Sequence, residues 1–298
     1  MAELKVGGIS LKKNTVKADN AFVPSGVVYV KDKKDDWLED IALGVKTNKP
    51  VLLVGPTGCG KTLSIKYLAQ ETNNSYRRVQ LTGSTGIDNL VGRWLIKKEG
   101  TYWVDGVVID AMRTGAWLLI DEINAANADV LFLFHQLLDD DRRILLDEKG
   151  MEEVIPHPNF RLFAAMNPSD EYAGTKEINM ALKDRFLVVE VDYPSKRKEL
   201  KVLLEKTGLE NEKVVFGSGD EADAVPKRMI EFATEVRKIK KKGDILFNLS
   251  TRQLVDMGVV SKIVGLRKAV TLCVLNKADE EDREKILEVY KRFFRDAE

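Results

Sequence analysis

The chain of 298 residues is 44% hydrophobic and 32% charged, enough for one large or two modest domains, each with its own core. Lys+Arg and Asp+Glu both number 47, so no net charge points to nucleic acid or to an anionic membrane. No apolar run has the length that spans a bilayer. The opening "MAELKVGGISLKKN" lacks the apolar core of a signal peptide, and Cys59 and Cys273 make no disulfide framework, so the chain reads as soluble and cytoplasmic.

Residues 1–30 read as a weakly patterned arm. A helix is expected in "DDWLEDIALGVKTN", and Pro50 then leads into "VLLV", an apolar run of the kind a parallel sheet buries on both faces. Further runs of this type are "YRRVQLT", "WLLID", "FRLFAAM" and "FLVVEVD". The helix-like stretches "KTLSIKYLAQET", "GVVIDAMRTG" and "ADVLFLFHQLLDD" separate them, which predicts an α/β domain over 31–194. The boundary is read at Tyr193-Pro194. From 195 to 298 only helices are predicted, with Ser195 and Ser250 placed as N-caps and Gly243 and Gly265 as helix ends.

"GPTGCGKT" fits the phosphate-loop pattern: Gly55, Pro56, Thr57, Gly58, Cys59, Gly60, Lys61 and Thr62 follow a buried strand and open a helix. The glycines let backbone N–H groups curl around phosphate oxygens, Lys61 reaches the β/γ-phosphates and the Thr62 hydroxyl binds Mg²⁺. "WLLIDEIN" adds Asp121 at a strand end, placed to hold Mg²⁺ directly or through its water, and Glu122 as general base toward an attacking water. "FRLFAAMNP" ends in Asn167, whose amide either orients that water, touches the γ-phosphate or simply starts an Asn-Pro turn.

These motifs, followed by "ALKDRF", resemble the AAA+ ATPases in the same order. "LLIDEINAANADVLFLFHQLLDD" with "MNP" and "YAGTKEIN" is similar to the MoxR branch, and within it to the CbbQ/NorQ/GvpN group, whose ATPase domain is of the dynein-related type. The resemblance implies a P-loop core with a five-stranded parallel sheet and hairpin insertions, followed by a small all-helical lid. It also implies an ATP- and Mg²⁺-dependent ATPase in a homo-oligomeric ring, usually a hexamer. Such a ring acts on a protein client, often with a von Willebrand A-domain partner protein. By motif, Lys61 and Thr62 become Walker A residues, Asp121 and Glu122 Walker B, and Asn167 sensor 1. Arg185 becomes the arginine finger that enters a neighbour's site, and Arg252, in "LSTRQL", sensor 2. On local sequence alone Arg185 reads as an ion pair with Asp184 or a neighbouring carboxylate, and Arg252 as an exposed residue of a helix's first turn.

"NLVGRWLIKKEGTYWVDG" and "RRILLDEKGMEEVIP" read as two hairpins, the second turning at Lys149-Gly150, with Trp94, Tyr102 and Trp103 either in local core or facing a pore or partner. "VTLCVLNKAD" imitates a guanine-reading motif through Asn276 and Asp279, yet also suits a helix with Leu266, Val270 and Val274 on one face. The run "RKIKKK" reads as the solvated end of a helix rather than a nucleic-acid site, and His135 and His157 are too isolated for a metal. Three functions are open: a client-remodelling ATPase, the motor subunit of a McrB-like restriction complex, and a small-molecule phosphotransferase.

Overall fold

The computed structural model describes residues 2–15, 22–31, 36–168, 178–209 and 225–294, so the "YAGTKE" part of the family stretch lies outside the described residues. These residues fall into two compact units. The first is drawn from 1–29, 33–55 and 61–191, and the second from 30–32, 56–60 and 192–298.

The first unit opens with a hairpin of β1 (Glu3–Val6) and β2 (Ile9–Lys12), which lies against α1 (Asp36–Thr47). The arm therefore has a strand pair that its short, lysine-interrupted pattern conceals: Leu4, Val6 and Leu11 are its buried positions. Then follow β3 (Val51–Val54), α2 (Lys61–Glu71), β4 (Tyr76–Gln80), α3 (Ile87–Leu90), β5 (Gly92–Lys97), β6 (Gly100–Asp105), α4 (Val107–Thr114) and β7 (Trp117–Asp121). The unit is completed by α5 (Ala128–Leu138), β8 (Ile144–Leu146), β9 (Glu152–Val154), β10 (Arg161–Met166), α6 (Met180–Lys183) and β11 (Leu187–Glu190).

Five strands form one parallel sheet in the order β11-β3-β10-β7-β4, with Val51 opposite both Phe163 and Leu187, and Trp117 opposite both Arg161 and Tyr76. The three inner strands are the apolar runs buried on both faces, as parallel strands between helices must be. β4 and β11 are the edges. Their pattern is half-exposed, and Leu187 and Val188 reach the surface, so "FLVVE" is not a doubly buried strand. Helix α5 covers the sheet with Val130, Leu133, Phe134, Leu137 and Leu138, an i, i+3, i+4, i+7, i+8 stripe. Burial of each such side chain is worth about 1.5–3 kcal/mol. The Asn127 side chain starts this helix by accepting from the Val130 N–H at 3.0 Å.

The two predicted hairpins are the β5–β6 and β8–β9 pairs. Trp103 packs onto the core, while Trp94 stays exposed, edge-on to Trp103, and donates its indole N–H to the Glu148 carbonyl at 3.0 Å.

The second unit is helical: α7 (Lys196–Thr207), α8 (Val225–Lys241), α9 (Thr251–Val264), α10 (Leu266–Cys273) and α11 (Glu280–Phe293) around Leu203, Met229, Phe232, Val236, Met257 and Ile286. Ser195 and Ser250 cap α7 and α9, and Ser250 forms a reciprocal capping box with Gln253. "VTLCVLNKAD" belongs to α10 and the turn after it, and Asp279 caps α11 through the Asp282 N–H at 2.9 Å, so the strand a guanine reader needs is not there. No helix among the described residues is long and apolar enough to cross a membrane.

Candidate nucleotide-binding site

Parallel strands deliver their functional side chains at their C-terminal ends. Here β3 ends just before Gly55, β7 at Asp121 and β10 just before Asn167. Gly55 is needed for space: a Cβ built on it would lie 2.0 Å from the Val191 carbonyl oxygen. Gly58 (φ +74) and Gly60 (φ +111) hold left-handed conformations that suit glycine, and the loop then enters the N-terminus of α2 at Lys61.

Lys61 is 8% exposed, and an ammonium so placed needs partners. Its Nζ donates to the Gly55 carbonyl at 2.6 Å and to Asn167 Oδ1 at 2.9 Å. The Asn167 amide nitrogen donates to both Glu122 oxygens, at 2.8 and 3.0 Å. The oxygen faces the cation and the nitrogen the anion, the one orientation that satisfies both neighbours. Lys61, Asn167 and Glu122 thus form one hydrogen-bonded chain, and Asn167 is its centre rather than merely the start of a turn. Asn124 steadies it by donating to the Asn167 carbonyl at 3.3 Å. Glu122 has φ +56, a left-handed backbone that is uncommon for a non-glycine residue and that turns the chain directly after Asp121.

Thr62 Oγ1 lies 3.4 Å from Asp121 Oδ2. The same carboxylate oxygen accepts two hydrogen bonds from the Arg78 guanidinium, at 2.9 and 2.5 Å. Arg78 supplies the countercharge that the largely buried Asp121 requires. Sequence reading missed it. The available signal was its place in "YRRVQ", on the same face of β4 as Gln80, which pairs with Asp121 across the ladder. Among the described residues no cluster of three or more His, Cys, Asp or Glu could hold a metal. One hydroxyl and one carboxylate are instead the sparse oxygen set that Mg²⁺ uses when phosphates and water complete its shell, so these residues fit that ion.

Arg185, between α6 and β11, sits elsewhere in the first unit. It donates to Asp139 Oδ1 at 2.9 Å through Nε, with a terminal nitrogen in ion-pair range of the same oxygen, and to the Ala181 carbonyl at 2.6 Å. Its carboxylate partner is Asp139, at the C-terminal end of α5, and not Asp184. None of these bonds joins it to the Lys61–Asn167–Glu122 chain. Arg252 lies in the first turn of α9 and is exposed. Its Cβ is 3.4 Å from a Cβ built on Gly58, so within the second unit it stands beside the phosphate-loop tip. Of the "RKIKKK" run, Arg237 is not solvated: it is buried against Glu199. Its position four residues after Ala233 and beside Val236, on the apolar stripe of α8, was the sign.

Two family profiles match the chain: "AAA domain (dynein-related subfamily)" over residues 50–186 and "CbbQ/NirQ/NorQ C-terminal" over residues 210–293. Protein CbbQ of Hydrogenophilus thermoluteolus is 32% identical over 223 residues, 75% of this chain and 78% of that protein. Protein NorQ of Paracoccus denitrificans is 31% identical over 206 residues, 69% and 71% of the two chains. A crystal structure from Cytophaga hutchinsonii, provisionally named an ATPase, is similar in fold, with TM-score 0.50 at 20% identity over 90% of this chain and 83% of that one. The five-stranded parallel sheet, the helical C-terminal part and these matches agree. The chain belongs to the CbbQ/NorQ group of the MoxR branch of AAA+ ATPases.

Proposed function

We propose that this protein is a Mg²⁺-dependent ATPase that works as a homo-oligomeric ring, a hexamer, and remodels, activates or assembles a protein client with a von Willebrand A-domain partner protein. Residues 31–194 form its nucleotide-binding domain and 195–298 its lid. The observation that carries the hydrolytic reading is the Lys61–Asn167–Glu122 hydrogen-bonded chain beside the Thr62–Asp121 pair. Kinship with the CbbQ/NorQ group supports the client and the ring. The match of residues 210–293 to that group's C-terminal profile weighs against a McrB-like motor.

In this reading, Gly55 to Gly60 cradle the phosphates with backbone N–H groups. Lys61 neutralises the β/γ-oxygens, and Thr62 and Asp121 hold Mg²⁺. When bound, that ion draws charge off the β- and γ-phosphate oxygens. Glu122 takes the proton from the attacking water, and Asn167 orients that water and keeps Glu122 aimed. The test is direct. ATP hydrolysis should vanish with EDTA and return with Mg²⁺, and Lys61→Ala should weaken ADP binding by more than about tenfold, since it removes the one ammonium in the cradle. Hydrolysis that persists in EDTA, or undiminished binding by Lys61→Ala, overturns the reading.

Arg252 is proposed to reach the γ-phosphate from α9. Arg252→Ala should then weaken ATP binding more than ADP binding, by about fivefold or more, the worth of a charge-assisted hydrogen bond. Titration calorimetry with a non-hydrolysable ATP analogue and with ADP reads the ratio, and equal losses for the two contradict the assignment.

A further inference from the structure

The second unit contains a charged pair that a helical core does not need. Glu199 is 1% exposed and accepts from two Arg237 nitrogens, at 2.8 and 2.7 Å. Arg237 Nε donates to the Leu249 carbonyl at 2.6 Å, and Thr251 adds its hydroxyl to Glu199 Oε1. Such a pair is no bargain for stability: desolvation consumes most of the attraction. What it does is fix a geometry. The Arg237 guanidinium lies over the Tyr193 ring, 4.0 Å from its centroid, and the Tyr193 hydroxyl donates to the Thr57 carbonyl at 3.1 Å.

The connection closes on itself. Thr251 opens α9, and its neighbour Ser250 packs onto the loop tip, where a Cβ on Gly58 would lie 2.8 Å from the Ser250 Cβ. One end of the chain Tyr193–Arg237–Glu199–Thr251 thus holds the Thr57 carbonyl, and Ser250, next to its other end, lies beside Gly58. The Thr57–Gly58 peptide group is planar and trans, so its carbonyl and its N–H point in opposite directions. A hydroxyl that holds the Thr57 oxygen also sets where the Gly58 N–H points.

We propose that Tyr193 is a positioning residue for the phosphate cradle: it locks the Thr57–Gly58 peptide with the Gly58 N–H presented to the nucleotide phosphates, and the Arg237–Glu199 pair holds its ring in place. This rests on the phosphate-loop reading of residues 55–62. Because the cradle grips substrate and transition state alike, the effect falls on binding rather than on turnover.

The test is Tyr193→Phe, which keeps the ring, its stacking on Arg237 and its packing, and deletes only the hydroxyl. The dissociation constant for ADP with Mg²⁺, read by titration calorimetry, should rise roughly 3- to 10-fold, the worth of one hydrogen bond. KM for ATP should rise by a similar factor with kcat within about twofold, and the nucleotide-free melting temperature should hold. A merely structural tyrosine would show the opposite, a lowered melting temperature with ADP affinity unchanged, and that result overturns the proposal. So does a fall in kcat at unchanged KM. Lys61→Ala is measured alongside: if it loses ADP while Tyr193→Phe binds as wild type, this inference alone fails. If neither variant loses ADP, the phosphate-loop reading fails with it.

Discussion

Arg185→Ala is expected to fold, to bind ATP, and to hydrolyse it about 10³- to 10⁵-fold more slowly. The magnitude is that of an arginine finger, a cation that meets the charge spread over the equatorial oxygens of the transferring phosphoryl group. Folding should survive, because the Arg185–Asp139 pair is solvent-exposed, at 35% and 54% side-chain exposure, and pairs of this kind contribute at most about 1 kcal/mol. The guanidinium bonds to Asp139 and Ala181 and not to the Lys61–Asn167–Glu122 chain, so the finger role proposed for it would require another subunit's site. The bond to Asp139 also gives the side chain a defined direction before any neighbour arrives. Mixing Arg185→Ala with Lys61→Ala chains should restore some activity, because one supplies an intact phosphate loop and the other an intact finger. Single-turnover hydrolysis with ATP binding measured separately checks the first claim, and loss of ATP binding in Arg185→Ala would contradict it.

Glu122→Gln is the second large effect. Both Glu122 oxygens accept from the Asn167 amide, and a glutamine keeps one acceptor there, so the geometry of the chain should persist. What disappears is the carboxylate proposed as proton acceptor. ATP affinity should stay within about threefold of wild type while kcat falls about 10²- to 10⁴-fold, the range for loss of a general base. The variant should then hold ATP, which makes it the bait of choice for capturing the proposed client from the native host. Wild-type turnover by Glu122→Gln removes the base assignment.

The inner strands were legible because a parallel strand buried on both faces has to be an apolar run, and "VLLV", "WLLID" and "FRLFAAM" are that. The turn at 55–62 was legible because its glycines are contiguous with Lys61, and Gly58 and Gly60 take left-handed conformations just before α2 opens. The edge strands were harder. β4 and β11 answer to one neighbour each, so their side chains follow solvent as much as core. Contacts set by register rather than by spacing were not legible at all: Arg78 reaches Asp121 across the β4–β7 ladder, from 43 residues away. Likewise Arg237 looked like one more cation in a lysine run, because its buried partner Glu199 lies on a different helix. Asn167 was visible as a polar strand end, but its place between Lys61 and Glu122 depends on three strand ends meeting.

We propose that catalysis here is completed only when one subunit offers Arg185 to another's phosphate loop. Specific ATPase activity across a wide range of protein concentration, for wild type and Arg185→Ala together, tests it most directly. Wild-type activity should fall on dilution as the proposed assembly dissociates, with near-zero activity for Arg185→Ala throughout. Constant specific activity at every concentration, from a monomer indifferent to Arg185→Ala, would contradict it.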